Sequence, residues 1–171
     1  MILLGYRGSG KTSIGRRLAE IMQMPFVDTD ELVVAMANQS IREIFEKKGE
    51  SYFRDLESRA VEEACQRSAI VALGGGAVLR EANRTRLLAS VQPRVFLHCN
   101  VQLLHDRINA DPNTAANRPS LTHLGGGIDE IRSLLAIREP LYRSVLTHEL
   151  DVTPLSVDEA ARRLADIQSS A

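Results

Sequence analysis

GYRGSGKTS, residues 5 to 13, decides the reading of this chain. It comes after the apolar run Met1-Ile2-Leu3-Leu4 and precedes apolar residues at helical spacing, Ile14, Leu18, Ile21 and Met22. Gly5-x4-Gly10-Lys11-Thr12 fits the phosphate-loop pattern, in the strand-then-helix context that the pattern requires. The residue types explain the chemistry. Gly8 and Gly10 allow the backbone to turn its amides inward and approach a phosphate closely. A helix beginning near Lys11 points its positive end at the same anion. Lys11 is expected to bridge the β- and γ-phosphates and the Thr12 hydroxyl to ligate Mg²⁺, with Ser9 and Ser13 completing the segment assigned to the nucleotide. The pattern implies nucleoside triphosphate binding, but not yet a reaction.

Working outward, short apolar runs alternate with helical patterns: Met1–Leu4, Pro25–Val27, Ile70–Leu73, Arg94–His98 and Glu149–Val152. Strand–helix alternation predicts an α/β fold, a three-layer sandwich with a five-stranded parallel sheet covered on both faces. Ser40-Ile41-Arg42-Glu43 and Ser156-Val157-Asp158-Glu159 read as capping boxes, and Asn100 as a third cap. No linker or repeat divides the sequence, so residues 1–171 are expected to form a single P-loop kinase-like domain. One segment lacks any period: NADPNTAANRPSLTH, residues 109 to 123, closed by Gly125-Gly126-Gly127. Such a segment is either a mobile lid, spanning about 109–124, or an idle surface loop.

Bulk properties narrow the partners. With 171 residues, 44% hydrophobic and 25% charged, the chain can bury a core. A net charge of −1, 4% aromatics and no Trp give no basis for binding nucleic acid or an anionic membrane. No apolar run is long enough to span a bilayer, and the early phosphate loop leaves no room for a leader. Cys65 and Cys99 form no CxxC pair and read as buried thiols of a cytoplasmic protein. Of 21 basic residues only Lys11, Lys47 and Lys48 are lysine. Arginine grips carboxylates and phosphates with a two-pronged fork, so its positions matter.

In an open α/β sheet, ligands collect at the carboxyl ends of the strands. Asp28-Thr29-Asp30 stands after the second strand and Gly74-Gly75-Gly76 after the third. Two apart in extended backbone, Asp28 and Asp30 would project to one side. Either alone could simply cap the helix expected near Glu31. Together, facing a phosphate loop, they divide labour: Asp28 holds Mg²⁺, and Asp30 orients an acceptor hydroxyl and takes its proton. The glycine triplet is a tight turn or a run of amides open to a ligand. Arg54, Arg118 and Arg138 show nothing in their local pattern that separates them from solvated arginines. Pro140 is expected to kink or end the helix carrying Arg138. His98, His105, His123 and His148 have no metal-ligand spacing.

Taken together, GYRGSGKTS (5–13), DTD (28–30), SYFRDLE (51–57), LGGGAV (73–78), NRPSL (117–121) and REPLYR (138–143) resemble the shikimate kinase family along essentially the whole chain. The phosphate loop is widespread, whereas the ordered set at these spacings is specific. The resemblance implies transfer of the γ-phosphoryl of ATP to the 3-hydroxyl of shikimate, on the route to chorismate and the aromatic amino acids. It implies Thr12 and Asp28 on the Mg²⁺ side, with Asp30, Lys11 and Arg118 in catalysis. Arg54 and Arg138 would clamp the shikimate carboxylate, and Gly74, Gly75 and Gly76 would give backbone contacts, Gly75 most directly. Arg118 would close over the phosphates with the lid, and Arg107 would lie against adenine. The stretch 109–116 is longer than is common in the family, and Ser120 stands where a leucine is frequent.

Rival readings are a gluconate kinase, a nucleoside monophosphate kinase, or an ATP-binding module without catalysis. No NKxD-type sequence supports a GTPase. The small size favours a monomer.

Overall fold

The computed structural model describes residues 1–110 and 127–169. Five strands, β1 (Ile2–Leu4), β2 (Phe26–Asp28), β3 (Ile70–Ala72), β4 (Arg94–His98) and β5 (His148–Asp151), form one sheet in the order β2-β3-β1-β4-β5. Every pairing is parallel. The helices are α1 (Lys11–Met22), α2 (Thr29–Ala37), α3 (Ile41–Cys65, interrupted at Gly49), α4 (Glu81–Ala89), α5 (Val101–Ala110), α6 (Ile128–Val145) and α7 (Val157–Ser169).

The three layers arise from the two-residue period of a strand. Leu3, Ile70, Val95 and Leu97 face one side and pack with Leu18 of α1, Leu104 of α5 and Leu164 of α7. Ile2, Leu4, Val71 and Phe96 face the other and pack with Val61 of α3, Leu87 of α4 and Tyr142 of α6. Buried on both faces, these strands carry unbroken apolar runs instead of alternation.

Register then sets the functional geometry. Leu3 lies level with Ala72 on one side and Val95 on the other, and Ala72 is level with Asp28. The segments that leave β1, β2 and β3 therefore emerge on one rim.

Local signals fix the helix starts. Ser40 and Glu43 form a reciprocal capping box, Ser156 and Glu159 do the same, and Asn100 Oδ1 accepts from the Leu103 amide. Elsewhere the structure corrects the sequence reading. Helix α2 begins at Thr29, so Asp30 lies in a first helical turn and not in extended backbone. Helix α6 runs through Pro140 to Val145; it does not end there, because Tyr142 and Val145 beyond the proline are fully buried. Asn109 and Ala110 belong to α5, and residues 111–124 of the expected lid lie outside the described residues. Cys99 is buried but Cys65 only partly so. Among the described residues no helix is long and apolar enough to cross a membrane.

Helix α1 approaches the sheet through Gly15. A Cβ there would come within 2.7 Å of the Phe26 ring and 3.2 Å of Leu3 Cδ1. Gly15→Val should overpack this contact and cost about 1–3 kcal/mol. Thermal unfolding should show Tm lowered by roughly 2–4 °C per kcal/mol; an unchanged Tm would show that α1 can retreat freely.

Candidate active site

A cavity of about 850 Å³ opens on the rim, lined by Gly8, Gly10, Lys11, Thr12, Ser13, Asp28, Asp30, Gly75 and Arg107 among others. Gly8 and Gly10 have φ of +82° and +91°, a left-handed backbone that L side chains rarely adopt. Gly10 gives α1 no side-chain cap, so the first-turn amides remain open toward the cavity. Lys11 Nζ folds back onto the loop and donates to the carbonyls of Gly5 (2.9 Å) and Tyr6 (2.8 Å). Arg107 reaches across from α5, its Nη1 3.5 Å from the Gly8 carbonyl. Ser9 is buried, its amide donates to the Tyr6 carbonyl (3.2 Å) and its Oγ has no hydrogen-bond partner among the described residues; it does not line this cavity.

Across the cavity, Asp28 does two things at once. As the cap of α2 its Oδ1 accepts from the Asp30 amide (2.9 Å), while its Oδ2 accepts from Thr12 Oγ1 (2.8 Å). Capping and ligation are alternatives in the sequence reading, yet one carboxylate has oxygens for both. Burial and then the Asp30 charge push the Asp28 carboxyl above its usual range, against the Thr12 and Asp30 hydrogen bonds and Lys11. A hydroxyl and a carboxylate in contact, with a second carboxylate nearby, make a hard-oxygen donor set suited to Mg²⁺. A divalent cation would relieve the repulsion in this arrangement.

A second corner of the rim is lined by Asp30, Arg54, Gly75, Gly76 and Arg138. Arg54 is 9% exposed, far from the solvated arginine that its local sequence suggests. Its Nη1 donates to buried Glu57 (2.8 Å), and Glu50 accepts from its Nε and Nη2. Arg138, 5% exposed, lies over the Tyr6 ring, and its buried Nε has no acceptor among the described residues. Among the described residues no carboxylate lies within ion-pair distance of it. A buried guanidinium with a spare donor fits an anionic ligand group.

The glycine triplet divides. The Gly74 amide donates to the buried Thr29 hydroxyl (2.8 Å), so of the three expected backbone contacts this amide is not open to a ligand. A Cβ at Gly74 would meet Asp30 Oδ1 at 2.9 Å, and one at Gly76 would meet Arg54 Nη1 at 2.5 Å. Side chains are excluded from the turn because the site's own charged groups press against it.

The family model for shikimate kinase matches residues 7–168. The chain belongs to the shikimate kinase family. It is 39% identical over 160 residues to a shikimate kinase of Rhodopirellula baltica, covering 93% of this chain and 84% of that protein. A solved shikimate kinase from Acinetobacter baumannii in complex with shikimate superposes with a TM-score of 0.89 at 34% identity, over 99% of this chain and 92% of that one. A gluconokinase from Sinorhizobium meliloti gives a TM-score of 0.61 at 24% identity, over 99% and 93% respectively, a likeness of fold alone.

Among the site residues expected from sequence, Arg118 lies outside the described residues and Ser9 and Gly74 do not line the two hollows; the others do. Sequence reasoning misses three residues of this shikimate kinase family member that shape the corner. Glu57 has a signal, three residues after Arg54 on one helix face. Thr29 and Tyr142 have none, since their partners lie 45 and 67 residues away.

The raised Asp28 carboxyl has a sign that can be tested without substrate. A carboxyl whose folded pKa exceeds its unfolded value destabilises the fold when ionised; that cost is complete above the folded pKa and absent below the unfolded one, near 3.8. Asparagine caps a helix as well as aspartate. Metal-free Asp28→Asn should therefore melt above wild type at pH 7, by roughly 2–4 °C per kcal/mol relieved. The gap should close as pH falls below 4, and identical Tm values at both pH values would remove the repulsion.

Proposed function

We propose that this protein is a shikimate kinase in activity, transferring the γ-phosphoryl of ATP to the 3-hydroxyl of shikimate on the route to chorismate. The observation that carries the reading is the rim itself. A phosphate loop and a carboxylate pair line one cavity, and a two-arginine corner that shares Asp30 and Gly75 with it adjoins. Shikimate has few apolar atoms, so charge-assisted hydrogen bonds must hold it. Arg54 and Arg138 grip its carboxylate, and Gly75 and Gly76 offer amides beside them. Glu57 keeps Arg54 in place.

Gly8, Gly10, Lys11, Thr12 and Ser13 take the phosphates, and Arg107 and Leu155, which line the same cavity, border the adenine end. On nucleotide binding, Lys11 exchanges its loop carbonyls for phosphate oxygens. Thr12 and Asp28 would hold Mg²⁺, which neutralises charge on the phosphates when bound. Asp30 orients the acceptor hydroxyl and takes its proton as that oxygen bonds to the γ-phosphorus and the bond to the β-phosphate oxygen breaks, releasing ADP. Positioning and charge neutralisation are the main demands of phosphoryl transfer. The small size favours a monomeric enzyme, and its free thiols suit the cytoplasm.

Gluconate also carries a carboxylate and hydroxyls, so a coupled ADP-release assay across shikimate, gluconate and nucleoside monophosphates is the test. Turnover should require shikimate and Mg²⁺; equal turnover of gluconate would move the protein to that rival. Asp30→Asn should lower kcat by at least about 100-fold, the lower range for a general base, with ATP affinity little changed. Near-normal turnover would take Asp30 out of proton transfer.

A further inference from the structure

The hydroxyl of Tyr142 makes an unusual contact. It donates to the Gly75 carbonyl at 2.5 Å, joining α6 to the glycine turn across 67 residues of sequence. Tyr142 is fully buried, its ring stacked on Phe96 with centroids 5.1 Å apart. Burial pushes its phenol well above the ordinary value, against the nearby Arg138 charge, so it stays a neutral donor. Arg138, one helical turn earlier on the same face, brings Nη1 to 3.5 Å from the same carbonyl.

The consequence comes from peptide planarity. In a trans peptide the carbonyl of one residue and the amide of the next point in opposite directions. Fixing the Gly75 carbonyl against Tyr142 therefore turns the Gly76 N–H away from Tyr142. That amide has no protein acceptor among the described residues, and Gly76 borders the corner where Arg54 and Arg138 meet. A peptide between two glycines has little intrinsic resistance to rotation. The residue before it is anchored at Gly74 by Thr29, and the residue after it by the Ala77 amide, which donates to the Gly74 carbonyl. Between these anchors, the Tyr142 bond is the short contact that selects one orientation of the Gly75–Gly76 peptide.

We propose that Tyr142 is a positioning residue for the acceptor: its hydroxyl holds the Gly75–Gly76 peptide so that the Gly76 amide donates to the acceptor's carboxylate beside the two arginines. This rests on the function proposed for the rim. Tyr142 touches neither substrate and acts through the glycine turn. A preset donor spares the ligand the cost of ordering it on binding.

Tyr142→Phe removes the hydroxyl and keeps the ring. It should raise the shikimate KM about tenfold while the ATP KM stays within twofold. Val145→Ala loosens the same buried helix without touching the turn. At comparable loss of Tm it should keep a wild-type shikimate KM; an equal rise there would reduce Tyr142 to a packing role. A second measurement uses wild type alone: with ¹⁵N-glycine labelling, the Gly76 amide proton should move downfield as shikimate is added. An unmoved Gly76 resonance, or a Tyr142→Phe enzyme with an unchanged shikimate KM, overturns the proposal. Wild-type turnover of shikimate reports separately on the function, so its failure is distinguishable from failure of the Tyr142 contact.

Discussion

Parallel pairing of β2, β3 and β1 in one register is the constraint on which the site depends. Parallel strands cannot turn back on themselves and need crossovers, so the segments after these strands all leave from the same edge of the sheet. The phosphate loop, Asp28 with Asp30, and the glycine turn are therefore neighbours by topology, although they lie far apart in sequence. A slip of one residue in β2 would turn Val27 from the core and place Asp28 against it, at the cost of burying a charge. Core packing and site geometry are held by the same register.

The rim sorts its charges by position. Near the phosphate loop, open amides of α1, Lys11 and Arg107 favour an anion, while Asp28 and Asp30 repel one another and favour a cation. A bound anion and a bound cation together would offset these tendencies. The chain by itself meets the imbalance with internal substitutes. Lys11 rests on two loop carbonyls, and Asp28 on a hydroxyl and an amide. Each substitute is a neutral partner that a charged one outcompetes, so the cavity is ordered without being locked.

Much of this is legible in the sequence, and the reason differs by residue. The phosphate loop, the five strands and three helix caps are local patterns, in which each residue's role depends on neighbours within four positions. Asp30 reads onto the right rim for a wrong reason: the pattern suggests extended backbone where Thr29 already begins a helix, because the Asp28 cap pulls the start forward. Arg54 reads as solvated, since nothing around SYFRDLE announces that Glu57 is buried or that Gly76 lies against the guanidinium. Thr29 and Tyr142 are out of reach, because the groups they bind are backbone atoms of distant residues and leave no trace in composition. Of the kink or end expected at Pro140, the end does not occur, because buried Tyr142 and Val145 outweigh one missing amide.

The Arg54–Glu57 pair is hard to explain as a stabilising device. Desolvating two charges is costly, and well-packed apolar residues of the same volume commonly serve a fold as well or better. Its value lies in preorganisation. Glu57, almost wholly buried, fixes one edge of the guanidinium before any ligand arrives, so binding need not order a long, rotamer-rich side chain. Arg138 is left differently, with an aromatic ring, a distant carbonyl contact and, among the described residues, no carboxylate in ion-pair range. One arginine is thus neutralised and rigid while the other retains unspent charge. A monoanionic acceptor completes that balance, whereas a neutral sugar would leave Arg138 buried and uncompensated, and a dianion would meet repulsion from Glu57 and Asp30 at the same wall.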